Sequence, residues 1–314
     1  MPSSDILSNM RLLISGGTGF VGQHLASKTS RPLITTRSAS KTATADHPSP
    51  SYLHWDAVQG PIDLSESPSL DAVVHLLGEP IAEGRWTNSK KAKIRDSRIL
   101  GTRNLVTGIL RSEHPPQVLV AASAVGIYGD AGEAMIDEQS PPGTRGSHGQ
   151  GFLVEVCEAW EAEANRLAEH GVRVINLRIG IVLGSDGGAL AQMVPLFRWG
   201  LGGRLGDGKQ WVPWIHIEDL VNLILWCVQQ SDIQGPVNAT APHPIRNATL
   251  TQELGRRLNR PTILAVPKIA AKLALGEFAS SLFSSQRVLP AVALEHGFQF
   301  QFPELAAALQ DLIT

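Results

Sequence analysis

Three glycines carry the first chemical signal in the chain. Gly16, Gly19 and Gly22 recur in Leu12-Leu13-Ile14-Ser15-Gly16-Gly17-Thr18-Gly19-Phe20-Val21-Gly22, a Gly-x-x-Gly-x-x-Gly spacing. An apolar run precedes them, and helix-like spacing follows at Phe20, Val21, His24 and Leu25. Between a strand and a helix each glycine has a task. The first permits a tight turn, the second lets the backbone approach a pyrophosphate, and the third lets the helix pack close to the sheet. The helix then offers free N–H groups and the positive end of its dipole to an anion. An ordinary glycine-rich turn would carry the same letters; the strand and helix around these glycines set them apart and predict a bound dinucleotide.

The second signal lies roughly 20 residues on, where such sites read the ribose. A site for the unphosphorylated cofactor places Asp or Glu there. This chain has Thr36-Arg37-Ser38, with Lys41 close behind and no acid until Asp46. A planar guanidinium can pair with a 2′-phosphate, so the expected cofactor is NADP(H) rather than NAD(H). The alternative for Arg37 is a solvated surface arginine.

The elements that would position these residues alternate. Strands are expected at 11–15, 32–36, 71–77, 118–122 and 172–177, and helices at 20–28, 89–112 and 152–170. Residues 38–51, rich in Ser, Thr, Ala and Pro, read as a loop. Such alternation means βαβ units and a parallel sheet. After Leu183 the pattern changes. Nine glycines between Gly180 and Gly208 argue against regular elements; a helix at 217–229, a last strand at 236–239 and short strands near 263–266 and 298–302 follow. The expected fold is α/β, a Rossmann-type doubly wound parallel sheet with a smaller C-terminal lobe. The Rossmann domain would take 10–184 with 214–240, and the lobe 185–213 with 241–314.

Composition narrows the function classes. At 314 residues, 43% hydrophobic and 18% charged, the chain can build a sizeable core. A net charge of -2 gives no electrostatic case for nucleic acid or an anionic membrane. Cys157 and Cys227 sit in apolar, helix-like contexts without ligand spacing, which predicts two buried free thiols and no metal site. No signal peptide or membrane span is visible. A cytoplasmic protein is expected, or a plastid stromal one if a transit peptide has been removed.

Taken together, SGGTGFVG at 15–22, LLGEPI at 76–81, RWTNSKKAKIRDSRILGTR at 85–103, ASAVGIYGD at 122–130 and RIGIVLGSDGGAL at 178–190 resemble the extended short-chain dehydrogenase/reductase superfamily. The resemblance is to its atypical branch of epimerase family proteins and covers nearly the whole chain. It implies NADP(H) bound by the turn Gly16, Thr18, Gly19, Phe20 and Val21, by Thr36 and Arg37, by Leu76 and Leu77, by Arg98, and by the backbone near Val182. Leu76 and Leu77 end a strand at the open carboxyl edge, where such ligands lie. Arg98 belongs to a helix whose Lys90, Lys91 and Lys93 read as a solvated face, and could itself turn inward.

The departure from the superfamily bears on chemistry. Ordinary members use a Tyr-x-x-x-Lys pair plus a serine, the lysine and cofactor lowering the tyrosine pKa. The only tyrosines here are Tyr52 and Tyr128, with Asp56 and Gly132 four residues on, and the helix that should carry the pair begins Phe152-Leu153-Val154-Glu155-Val156-Cys157. Ser123 sits where the superfamily's serine ends its strand; its alternative is a locally satisfied hydroxyl. Tyr128 is either a substitute acid or a phenol lining a pocket. Glu155, Glu158 and Glu161 read as a solvated helix face, His216 as a structural joint, and Trp211 to Trp214 with the glycine-rich segment as a mobile cover. Two functions follow: an NADP(H)-dependent oxidoreductase or epimerase with non-standard acid–base groups and an unidentified small-molecule substrate, or a catalytically weak NADPH-binding regulator, for example of cell or plastid division.

Overall fold

The computed structural model describes residues 10–38, 50–143 and 151–313. Seven parallel strands form one sheet: β1 (Leu12–Ser15), β2 (Leu33–Thr36), β3 (Ser51–His54), β4 (Ala72–His75), β5 (Val118–Ala124), β6 (Arg173–Ile179) and β7 (Gly235–Ala239). Their spatial order is β7-β6-β5-β4-β1-β2-β3, so the chain runs outward from β1 in one direction and then in the other. Loops from β1, β2 and β4 therefore converge above one carboxyl edge, the place where this kind of sheet takes ligands.

The strands are apolar on both faces because helices cover both. Leu12, Ile14, Val74, Val120 and Leu177 face α5 (Ile217–Gln229), while Leu13, Val73, Leu119 and Val174 face Leu105, Ile109, Ala164 and Leu167 of the opposite layer. That opposite layer is built by α2 (Asn88–Arg111) and α3 (Phe152–Asn165). Thr87 caps α2, its hydroxyl accepting from the Lys90 N–H at 3.2 Å. A third apolar cluster joins Leu190 and Phe197 of α4 (Gly188–Arg198) to Trp214, Leu250 and Leu254 of α6 (Asn247–Leu258) and to Leu305 and Leu309 near the C-terminus.

Several expectations need correction. β3 was not foreseen: residues 38–51 read as loop, but Ser51–His54 pairs with β2. Its four residues carry one clear apolar side chain, Leu53, too few for a strand pattern to register. The glycine-rich 180–208 segment does hold regular structure, namely strand Ile181–Leu183 and α4, because the glycines cluster at its ends and leave 189–198 free of them. Residues 298–302 form no strand; the N–H groups of Gln301 and Phe302 instead donate to the Asp219 carboxylate at 2.7 and 2.9 Å. Lys41 and Asp46, invoked beside Arg37, lie outside the described residues.

Candidate active site

The glycine turn crosses from β1 to α1 (Phe20–Ser27), with the Gly19 N–H donating to the Gly16 oxygen at 2.9 Å. Gly16 has φ +77°, and a Cβ there would lie 2.9 Å from the carbonyl carbon of Leu76 and from the Leu77 nitrogen. Leu76 and Leu77 are thus held against the turn, the Leu76 N–H donating to the Ser15 oxygen at 2.9 Å. At Gly22 a Cβ would approach the Gly16 oxygen to 2.3 Å. No side chain fits at either position, so α1 starts flush against the turn, with its N-terminus at the carboxyl edge. The cradle suits a pyrophosphate.

Beneath the turn lies a polar group that the sequence did not flag. His75 is fully enclosed, bonded through Nδ1 to the Ser15 hydroxyl and through Nε2 to Thr102 Oγ1 at 2.9 Å. Burial pushes its pKa down to about 3, so the ring is neutral.

Beside the turn, Gly184 and Gly187 lie flush on the Phe20 ring, which brings the segment after Val182 to the start of α1. Asp186 comes 3.1 Å from His24 Nε2 and ties that segment down.

At the end of β2, Thr36 is buried and Arg37 exposed. No hydrogen bond or ion pair holds Arg37 among the described residues, but Glu79 shares its surroundings. A hydrogen bond from Lys90 at 2.8 Å, with the charges of Lys93 and Arg37 adding to it, holds the Glu79 carboxyl below its ordinary range. Glu79 is the residue missed here; the LLGEPI segment was its only signal.

Arg98 turns inward. Its Nη1 donates to the backbone carbonyl oxygens of Glu79 at 3.0 Å and Ile94 at 3.2 Å, and its guanidinium lies 5.1 Å from the centre of the Trp160 ring.

Ser123 and Tyr128 belong to one buried network. Ser123 Oγ donates to Glu161 Oε1 at 2.7 Å, and Arg178 grips both oxygens of Glu161 at 2.9 Å. Tyr128 OH accepts from Arg178 Nη1 and donates to Asn238 Oδ1, each at 2.8 Å. Asn238 in turn donates its backbone N–H to Glu138 at 2.9 Å. Tyr128 is fully buried, and burial pushes its phenol up to about 12. Glu161 is therefore no solvated face residue, because β6 delivers Arg178 directly opposite it.

Where a proton-transfer pair would stand, α3 presents apolar groups. Phe152 packs edge-on to Trp86 at 5.4 Å, Trp86 packs on Phe278, and Leu153 lies against Gly126. Cys157 is buried beside Ala124 and close to Arg98; burial pushes its thiol up to about 12, and Cys227 behaves likewise.

His216 caps α5, its Nδ1 accepting from the Glu218 N–H at 3.1 Å while the ring stacks on Phe302 at 3.9 Å, which is a structural duty. Trp211 and Trp214 are packed against the body of the protein and do not stand out as a cover. Trp214 is buried in the third cluster, and Trp211 is clamped between Arg246 and Arg287 at 4.3 and 4.6 Å.

Residues 12–239 match the model of the NAD dependent epimerase/dehydratase family, and 266–312 match a domain of unknown function, DUF1731. The chain belongs to the NAD-dependent epimerase/dehydratase family. It is 40% identical to the chloroplastic epimerase family protein SDR39U1 homolog of Arabidopsis thaliana, across 99% of this chain and 89% of that one. The mouse epimerase family protein SDR39U1 is 35% identical, across 97% of this chain and 100% of its own. A crystal structure of human epimerase family protein SDR39U1 with NADPH superposes with a TM-score of 0.85 at 33% identity, covering 97% of this chain and 99% of that one. These relatives bear out the resemblance to the epimerase family branch and the Rossmann-type fold. Among the described residues, no helix is long and apolar enough to cross a membrane.

Proposed function

We propose that this chain is an NADP(H)-binding oxidoreductase or epimerase of the atypical short-chain type, working without a Tyr-x-x-x-Lys pair. The carrying observation is the backbone cradle of Gly16 and Gly22 pressed against Leu76 and Leu77, with Arg37 exposed at the end of the neighbouring strand. The cradle holds the pyrophosphate by N–H groups and dipole; Arg37 pairs with the 2′-phosphate. The NADPH named with the human relative agrees with that choice. A bound nicotinamide supplies a hydride donor or acceptor. This chain's residues bind and orient it and keep water away through the apolar group of Trp86, Phe152 and Phe278.

The second reading, a weakly active NADPH-binding regulator, is favoured by one specific observation. The hydroxyl hydrogens of Ser123 and Tyr128 are both committed inside a buried network, and the group α3 brings beside Ala124 is the Cys157 thiol, which burial pushes up to about 12. Calorimetric titration tests the shared part of both readings. NADPH should bind more tightly than NADH, and Arg37→Ala should weaken NADPH by about 1–3 kcal/mol, the range for a charge-assisted hydrogen bond, with NADH hardly changed. Equal affinities in the wild type would refute the cofactor assignment. Turnover of a carbonyl or sugar-nucleotide substrate at roughly 1–10³ per second would refute the regulator.

A further inference from the structure

We infer that Arg98 makes this site select the reduced cofactor: its fixed positive charge stands in the nicotinamide half and disfavours the cationic ring of NADP+ relative to the neutral ring of NADPH. The inference rests on the NADP(H) reading above and adds a specificity residue to it.

The position follows from topology. The glycine turn follows β1 and Arg37 follows β2, so the adenosine half extends over β2. The other half must extend the opposite way, over β4 and β5. Arg98 is located there. Its guanidinium lies against Gly78, just past β4, where an added Cβ would come 3.1 Å from Cζ. Its other face covers Trp160 on α3, and it neighbours Cys157, which packs beside Ala124 at the end of β5.

The charge there is rigid and uncompensated. Nη1 is anchored by two backbone carbonyls, at 3.0 and 3.2 Å, which are dipoles and not counterions. Nε and Nη2 donate to no residue among those described, and the side chain, though largely buried, keeps some exposure, so these hydrogens remain for a ligand. Two other ionisable groups bear on it. Cys157 stays a neutral thiol. Glu79 carries a negative charge, but Lys90 bonds to it at 2.8 Å and offsets it. Burial lowers the Arg98 pKa without bringing a guanidinium near neutrality. The region therefore keeps a net positive charge.

A second positive charge brought beside the first is penalised. For unit charges about 10 Å apart at an effective dielectric of about 20, the penalty corresponds to roughly fifteenfold in affinity. The penalty falls on NADP+ alone, because the dihydronicotinamide ring is neutral while the 2′-phosphate and pyrophosphate are common to both forms. A protein with this bias rests charged with reduced cofactor. It is poised to donate hydride if it is an enzyme and to report NADPH if it is a regulator.

The test is binding of both redox forms to the full chain, by calorimetry or by quenching of tryptophan fluorescence. The wild type should bind NADPH at least tenfold more tightly than NADP+. Arg98→Lys, which keeps the charge, should preserve the preference. Arg98→Gln should bring the ratio within about threefold of unity, mainly through tighter NADP+. Equal binding of the two forms by the wild type overturns the inference without any variant, so a misfolded substitution does not remove the test. A ratio unchanged in Arg98→Gln overturns it too. Failure of both forms to bind refutes the NADP(H) reading itself, a different result from equal binding.

Discussion

Ser123→Ala should cost stability and leave the cofactor site intact. The hydroxyl donates at 2.7 Å to a carboxylate oxygen that Arg178 also grips. A hydrogen bond to a charged group contributes about 1.5–3 kcal/mol, and since the Arg178 fork survives the substitution, the lower half applies. At about 2 °C per kcal/mol for a chain of this size, Tm should fall by ~3–4 °C. Glu161→Gln acts on the same network more severely. It strips Arg178 of its carboxylate in a buried setting, and breaking such a pair costs about 3–5 kcal/mol, or ~6–10 °C in Tm. Both variants share Glu161, so the double variant should fall short of the sum by about 1–2 kcal/mol. Urea and thermal unfolding measure the losses, and NADPH titration should give wild-type affinity throughout. If Ser123→Ala unfolds like the wild type while any NADPH turnover disappears, the hydroxyl serves a substrate and the structural account of it fails.

Two further outcomes follow from the glycine turn and from the histidine beneath it. Gly22→Ala would place a Cβ 2.3 Å from the Gly16 oxygen; α1 must then lift from the turn, and NADPH affinity should drop at least tenfold by titration, whereas an unaltered affinity would mean the cradle is not the pyrophosphate site. Native His75 titrates near 3, against an ordinary value of 6.5. The unfolded chain therefore binds the proton more readily, so this group's contribution is whole above the ordinary value and is lost as pH falls toward the folded one. Between pH 7 and pH 5 it should remove about 2 kcal/mol from the unfolding free energy, and the urea midpoint of His75→Gln should lack that part of the pH slope.

How far the sequence could be read depended on the kind of interaction. The glycine turn was legible because its requirement is steric and local: Gly16 and Gly22 are needed wherever a helix starts flush against a strand. The sheet was legible because doubly covered strands such as Leu12–Ser15 and Ala72–His75 are apolar on both faces. β3 was not, since Ser51–His54 is an edge strand held mainly by pairing to β2. The network around Glu161 escaped for another reason. Glu161, Arg178, Tyr128 and Asn238 come from four separate elements, and only the sheet order brings them together. Glutamates at three-residue steps look like a wet helix face until β6 supplies a guanidinium opposite one of them. Arg98 was ambiguous on the same ground: its helix has charges all along its length, and the identity of the inward one depends on Gly78 and Trp160.

On the proposed reading the two halves of the site answer to different physics, and one can stand without the other. Holding the diphosphate needs backbone N–H groups and space, which glycines supply whatever the side chains nearby. Moving a proton needs a phenol and an ammonium on α3, and the positions that face Ala124 and Gly126 there are Cys157 and Leu153. A lysine at the first would put an ammonium beside the Arg98 guanidinium in an enclosed space. Of two like charges that close and that poorly solvated, the lysine would lose its proton or the helices would be pushed apart, because the guanidinium keeps its charge. The inward turn of Arg98 and the missing lysine are thus two sides of one arrangement: the cation beside Cys157 is delivered by α2 in place of α3. The guanidinium cannot stand in for the lysine's effect on a tyrosine, because Leu153 leaves no phenol to activate. What it can still do is act on charge in the ring of the cofactor, the one group at that edge whose charge changes between its two states.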